Sequence, residues 1–131
     1  MDVIVDTSVW ISFFKGRKED AKACEALDYL LSGDEAVVND VILSELLPPV
    51  IARKERRVET CLNSVRKIEL AVDWNDIRQL QVICISNGIN KVGIPDLMIA
   101  QQAIRNGIPV FSLDGRFRQM AKKLPFKLWP A

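Results

Sequence analysis

Histidine is absent from this chain of 131 residues. Its absence excludes a Ser-His-Asp or Cys-His nucleophile system, a histidine general base and a His-liganded zinc. Cysteine is scarce: Cys24, Cys61 and Cys84 are odd in number, far apart and in no CxxC pair. That argues against a disulfide framework or a thiolate metal site, and it fits a reducing cytoplasm. No uncharged apolar run approaches the ~20 residues that span a bilayer. The start, MDVIVDTSVWISFF, carries Asp2 and Asp6 and lacks the basic lead of a signal peptide. The sequence therefore predicts a soluble, cytoplasmic protein with no membrane segment.

Net charge is also slight, a formal +1, but it is unevenly spread. Residues 1–45 hold 10 acids and 4 bases, a net of −6, while residues 46–131 hold 14 bases and 7 acids, a net of +7. A near-neutral total thus conceals an acidic front and a basic remainder, and does not exclude a polyanionic partner.

What is present is a chain of alternating short strands and helices with no internal repeat or linker, which predicts a single domain over residues 1–131. Val3-Ile4-Val5 is a β-branched run suited to a strand buried on both faces. Asp6-Thr7-Ser8 offers capping side chains to a helix holding Val9, Trp10, Ile11, Phe13 and Phe14. A helix is expected from about Glu19 to Leu31, stopped by Gly33, then a strand at Ala36-Val37-Val38. Asn39-Asp40 caps a helix over Val41 to Leu47, which Pro48-Pro49 is expected to break or kink. Helix resumes across 53–67, with Ile68-Glu69-Leu70 a further strand. Asp73 caps the next helix, ended by Asn87-Gly88, and Pro95 suits the first turn of another, closed by Gly107. Val110-Phe111-Ser112 reads as a strand, Arg116 to Lys122 as a short helix and Phe126 to Leu128 as a last strand. This alternation predicts an α/β fold with a parallel sheet covered on both sides, its ligand site beyond the carboxyl ends of the strands.

Four acids stand in apolar company. Asp6 and Asp114 follow strands directly, and each alone reads as a cap or turn residue. Glu45, in VILSELL, and Asp96, in IPDLMIA, interrupt segments that are apolar nearly all round, which places both near the core. An acid in a helix's first turn also favours the dipole, which accounts for Asp96 structurally; Glu45 has no evident local partner. Converging on one pocket, four such carboxylates would raise one another's pKa unless a cation sat between them. An all-oxygen donor set suits Mg²⁺ or Mn²⁺, and such a site activates water against a phosphodiester.

The segments VIVDTSVWI (3–11), SELL (44–47), PDLMIA (95–100) and SLDGRF (112–117) together resemble the PIN-domain ribonucleases, with the order and spacing of the VapC toxins of toxin–antitoxin pairs. The resemblance runs from Asp2 to about Phe117. It implies a three-layer α/β/α sandwich with a short-stranded parallel central sheet and hydrolytic, Mg²⁺- or Mn²⁺-dependent cleavage of RNA. By position, Asp6, Glu45, Asp96 and Asp114 would be the metal-binding quartet. Ser112 holds the family's usual Thr/Ser place beside the last acid, and Thr7 or Ser8 would help similarly. The resemblance further implies a homodimer and a VapB-type antitoxin whose tail would block the acidic pocket.

One position departs from that pattern. Many relatives carry a further acid or a His two residues after the last Asp, where this chain has Arg116. A solvated first-turn residue, a phosphate contact and a weakened second-metal site are all compatible with it, so one metal and two both stay open. Arg53, Lys54, Arg56 and Arg57 form one basic cluster; Arg116, Arg118, Lys122, Lys123 and Lys127 form another. Each reads as a solvated face or as a track for an RNA backbone, and the second begins beside Asp114, which favours Arg116, Arg118 and Lys122 as RNA contacts. Trp10, Phe13 and Phe14 suit core packing better than an apolar groove. Two other functions compete. A receiver or haloacid-dehalogenase phosphoryl-transfer domain also puts Asp after its first strand, but the latter wants a second acid where Ser8 stands. A non-catalytic binding module would keep the fold and use the acids structurally.

Overall fold

The computed structural model describes all residues, 1–131. Four short parallel strands form the central sheet: β1 (Val3–Val5), β2 (Ala36–Val38), β3 (Arg66–Lys67) and β4 (Val110–Phe111), in the order β3-β2-β1-β4. Register pairs Val3 with Ala36, Ile4 with Val110 and Val37 with Arg66. Between β1 and β2 lie α1 (Thr7–Lys15), a 3-10 turn (Lys18–Asp20) and α2 (Ala21–Ser32). Helices α3 (Asp40–Ala52) and α4 (Arg56–Ser64) lead to β3, α5 (Trp74–Ser86) and α6 (Ile94–Asn106) lead to β4, and α7 (Gly115–Ala121) follows it. Parallel crossovers are right-handed, so the helices joining β1 to β3 share one face and α5–α6 take the other, giving three layers.

β1 is central because Val3, Ile4 and Val5 are wholly buried, with β-branched side chains packed above and below. Trp10, also wholly buried, donates from Nε1 to the carbonyl of Val5 at 3.0 Å, pinning α1 to the strand's exit. Its ring stacks with Phe14 at a centroid distance of 5.9 Å, and Phe13 packs edge-on. These aromatics pack on the core, as the sequence suggested.

The chain leaves β1 toward β2 and β3 on one side, and returns at β4 on the other. The crevice at that switch in strand order lies beyond the carboxyl ends of β1 and β4, where an α/β fold places its ligand.

Several expectations are corrected. α3 runs unbroken through Pro48 and Pro49. The two carbonyls they leave without helical donors, on Ser44 and Glu45, belong to a solvent-exposed face that water can reach, while Ile42, Leu46 and Val50 hold the opposite face in the core. The helix over 53–67 is shorter, Arg56–Ser64, and its partner strand is the exposed Arg66–Lys67 rather than Ile68–Leu70. The helix expected from Glu19 begins as a 3-10 turn, with α2 proper starting at Ala21. Near the C-terminus only an isolated parallel bridge from Leu128 to Val110 forms, and not a strand. Buried polar side chains also join elements: Asn39 caps α3 through its Oδ1 (2.9 Å from the Ile42 N–H) and donates to Gln102 of α6 at 2.7 Å.

Candidate active site

The exit of β1 sets the first acid. Asp6 caps α1 with extended backbone and is buried, 6% exposed. Two hydroxyls donate to its Oδ2, Ser8 Oγ at 2.9 Å and Ser112 Oγ at 2.8 Å. Those hydroxyl oxygens in turn accept backbone N–H groups after β4: Leu113 onto Ser8 Oγ at 2.9 Å and Asp114 onto Ser112 Oγ at 3.0 Å. Loop and acid are therefore bound to one another through serine oxygens, with no basic side chain in hydrogen-bond contact with Asp6. This is the supporting role the sequence suggested for Ser112, shared with Ser8.

Thr7, next in α1, donates from Oγ1 to Glu45 Oε1 at 3.1 Å. Glu45 belongs to the exposed face of α3, not near the core as its apolar neighbours implied, but its carboxyl turns inward to Thr7. Desolvation there raises its pKa above the ordinary range; the Thr7 hydroxyl opposes the rise, and the charges of Asp6 and Asp96 add to it. Asp96 is half-buried in the first turn of α6, its Oδ2 accepting the Gly93 N–H at 3.1 Å in a capping arrangement. Burial raises its pKa too, against the Gly93 bond and the Arg116 charge, with Asp6 and Asp114 contributing.

The fourth acid differs. Asp114 caps α7 and accepts the Arg116 N–H at 2.9 Å, and the Arg116 guanidinium grips it as a fork, Nη2 to Oδ2 at 2.6 Å and Nε to Oδ2 at 3.0 Å. That pairing holds the Asp114 carboxyl below the usual carboxylate range. Arg116 Nη1 donates to the carbonyl of Lys91 at 2.9 Å and lies 3.5 Å from Asp96 Oδ2. Lys91 carries no side-chain signal in the sequence, because its contribution is backbone alone. Arg118 and Lys122 are exposed on and just after α7.

All four predicted acids thus converge at the switch in strand order, though no three are gathered tightly enough to form a coordination shell as the side chains stand. The donor chemistry nevertheless fits a hard divalent cation. Asp6 Oδ1, Glu45 Oε2 and Asp96 Oδ1 receive no hydrogen bond and are not buried without a partner, so each acid keeps one anionic oxygen free. Asp114 keeps none, since Arg116 Nε also reaches its Oδ1 at 3.2 Å.

An α/β/α sandwich with carboxylates gathered beyond its parallel strands defines a class of carboxylate-site α/β proteins. Within that class the chain belongs to the PIN domain family, a family of nucleases, whose profile matches residues 3–123. Comparison with curated protein sequences finds no significant match. Solved structures share the fold. Those similar to this chain include VapBC2 from Rickettsia felis bound to a fragment of its promoter DNA (TM-score 0.73, 16% identity, covering 98% of this chain and 96% of that one). FitAcB from Neisseria gonorrhoeae is similar as well (0.71, 20%, 98% and 99%). So is VapC20 from Mycobacterium tuberculosis, described as a sarcin-ricin loop cleaving toxin (0.62, 16%, 90% and 94%). No helix of this chain is long and apolar enough to cross a membrane.

Proposed function

We propose that this chain is a Mg²⁺- or Mn²⁺-dependent endoribonuclease, the toxin of a VapBC-type pair. It acts as a single domain over residues 1–131, in the cytoplasm, as a homodimer restrained by a VapB-type antitoxin. The observation that carries the reading is the convergence of Asp6, Glu45 and Asp96, from the end of β1, from α3 and from α6, each with one carboxylate oxygen free of donors. The similar solved structures support the toxin assignment, because one is VapBC2 and another is VapC20, described as a sarcin-ricin loop cleaving toxin.

Asp6, Glu45 and Asp96 would hold the metal. A divalent ion, when bound, activates water for attack on phosphorus and offsets charge on the phosphoryl oxygens. The remaining work falls to the chain. Ser8 and Ser112 fix the Asp6 carboxylate so that Oδ1 presents outward. Thr7 holds Glu45 through Oε1, which leaves Oε2 for the ion. Arg118 and Lys122 would bind the RNA backbone next to the site, and the exposed Arg53, Lys54, Arg56 and Arg57 would extend that track. PIN membership sets aside the receiver and haloacid-dehalogenase readings, and Ser8 donates to Asp6 where the latter would need an acid.

The test is cleavage of a fluorescent RNA in Mn²⁺. Activity is expected to vanish in EDTA and in Asp6→Ala and Asp96→Asn. Persistent cleavage by a folded Asp96→Asn protein overturns the mechanism.

A further inference from the structure

Arg116 is the one basic side chain that enters the acidic pocket, and it is held there from three directions. Its Nε and Nη2 fork Asp114, its Nη1 donates to the carbonyl of Lys91, and the same nitrogen faces Asp96 Oδ2 at 3.5 Å. Lys91 adopts a left-handed backbone, φ 65°, a conformation that costs free energy in a non-glycine residue and here presents its carbonyl to the guanidinium. A guanidinium cannot shed its proton at any physiological pH, so this charge is permanent. Its counterpart Asp114 is the acid of the quartet with both oxygens already engaged.

We propose that Arg116 is a built-in cation that withdraws Asp114 from metal binding and limits the acidic pocket to one divalent ion, held by Asp6, Glu45 and Asp96. This rests on the metal-site reading above and goes beyond it, since that reading leaves the number of ions open. A second divalent ion would need the oxygens of Asp114, and to reach them it would have to displace a bidentate ion pair and release the Lys91 bond as well. The guanidinium supplies positive charge beside Asp96 without any ion. The fork uses one Nη2 proton, which leaves the second free to meet a phosphoryl oxygen of a bound RNA. One divalent ion and one fixed guanidinium thereby offset all but one of the pocket's four carboxylate charges.

Titration of the metal-free protein with Mn²⁺ alone, followed by calorimetry and by electron paramagnetic resonance of free Mn²⁺, tests this without reference to activity. Wild type is expected to bind one Mn²⁺ per chain. Arg116→Gln removes the charge and shortens a partly exposed polar side chain, and is expected to bind Mn²⁺ about tenfold more tightly or to take a second ion. Arg116→Lys keeps the charge but not the two-pronged grip on Asp114, and is expected to fall between wild type and Arg116→Gln in affinity. Two ions bound by wild type, or Arg116→Gln binding no more tightly and no more ions than wild type, would overturn the role of Arg116 while leaving the metal site intact. No binding by either protein, with circular dichroism showing both folded, would remove the metal site and this proposal together. Loss of binding in Asp6→Asn alone identifies the signal as coming from the pocket.

Discussion

Two aspartates flank the three residues of β1, and their surroundings are opposites. Asp2, on the entry side, is partly exposed and is met by an arginine fork: Arg66 reaches from the sheet-edge strand β3 to place Nη1 and Nη2 at 2.9 and 2.6 Å from its two oxygens. Arg66 Nη2 also donates to the carbonyl of Asp34, so the contact ties three chain segments at the amino ends of the strands. Asp6, on the exit side, is buried and held by serine hydroxyls, with no guanidinium in contact and one oxygen unsatisfied. A carboxylate that only clamps structure is given a full countercharge. One that would hold a cation, as proposed for Asp6, is oriented by neutral donors and left short of charge, at a cost in stability that a bound ion would reverse.

The sharpest way to break this contrast is to make both acids neutral. Asp6→Asn is expected to reduce RNA cleavage on the order of a hundredfold or more, because several kcal/mol of charge stabilisation depend on the metal site. Asp2→Asn should leave the cleavage rate unchanged in the same assay. Equal losses in both would mean that the two ends of β1 do not divide their labour. Next in size, Ser112→Ala removes a hydroxyl that orients Asp6 without touching the pocket's free oxygens. It is expected to cost about 10- to 100-fold in Mn²⁺ affinity or rate, with little change in urea midpoint. Trp10→Phe tests the anchor of the exit side: it leaves the Val5 carbonyl without its indole donor and should lower stability by about 1–3 kcal/mol in urea denaturation.

The smallest effect belongs to the entry side. The Arg66 hydrogen bonds depress the Asp2 pKa in the folded chain, with burial opposing and the Arg66 charge assisting. A depressed folded-state pKa means that the pair's contribution is complete above the ordinary Asp value of about 3.9 and fades as pH falls through the folded value. Asp2→Asn is thus expected to cost at most about 1 kcal/mol at neutral pH, since the pair is surface-screened. Its thermal midpoint should fall less steeply than wild type's in acid. A steeper fall would contradict the pairing.

How far the sequence revealed these sites follows from what each depends on. Asp6 was legible because a buried β-branched strand followed by a capping residue is a local pattern, and the same logic located Asp114, while Asp96 stood out as an acid in the first turn of an otherwise apolar helix. The turn of Glu45 toward Thr7 was not legible, because α3 continues through Pro48-Pro49 and its exposed face reads in sequence as a broken, apolar segment. β3 was missed because Arg66 and Lys67 are exposed and charged, and only parallel pairing with β2 makes them a strand. The capture of Asp114 by Arg116 depends on a tertiary contact with the Lys91 carbonyl, which carries no side-chain signal at all.

The buried bond between Asn39 and Gln102 has a consequence for the pocket's dimensions. Asn39 precedes Glu45 by six residues at the start of α3, and Gln102 follows Asp96 by six in α6. At 1.5 Å per residue each acid stands about 9 Å along its helix from that shared contact. The two helices therefore behave as the legs of a pair of dividers, with the amide bond as the pivot. The opening between the two carboxylates is gauged from inside the protein, out of reach of solvent, before any ion or RNA arrives.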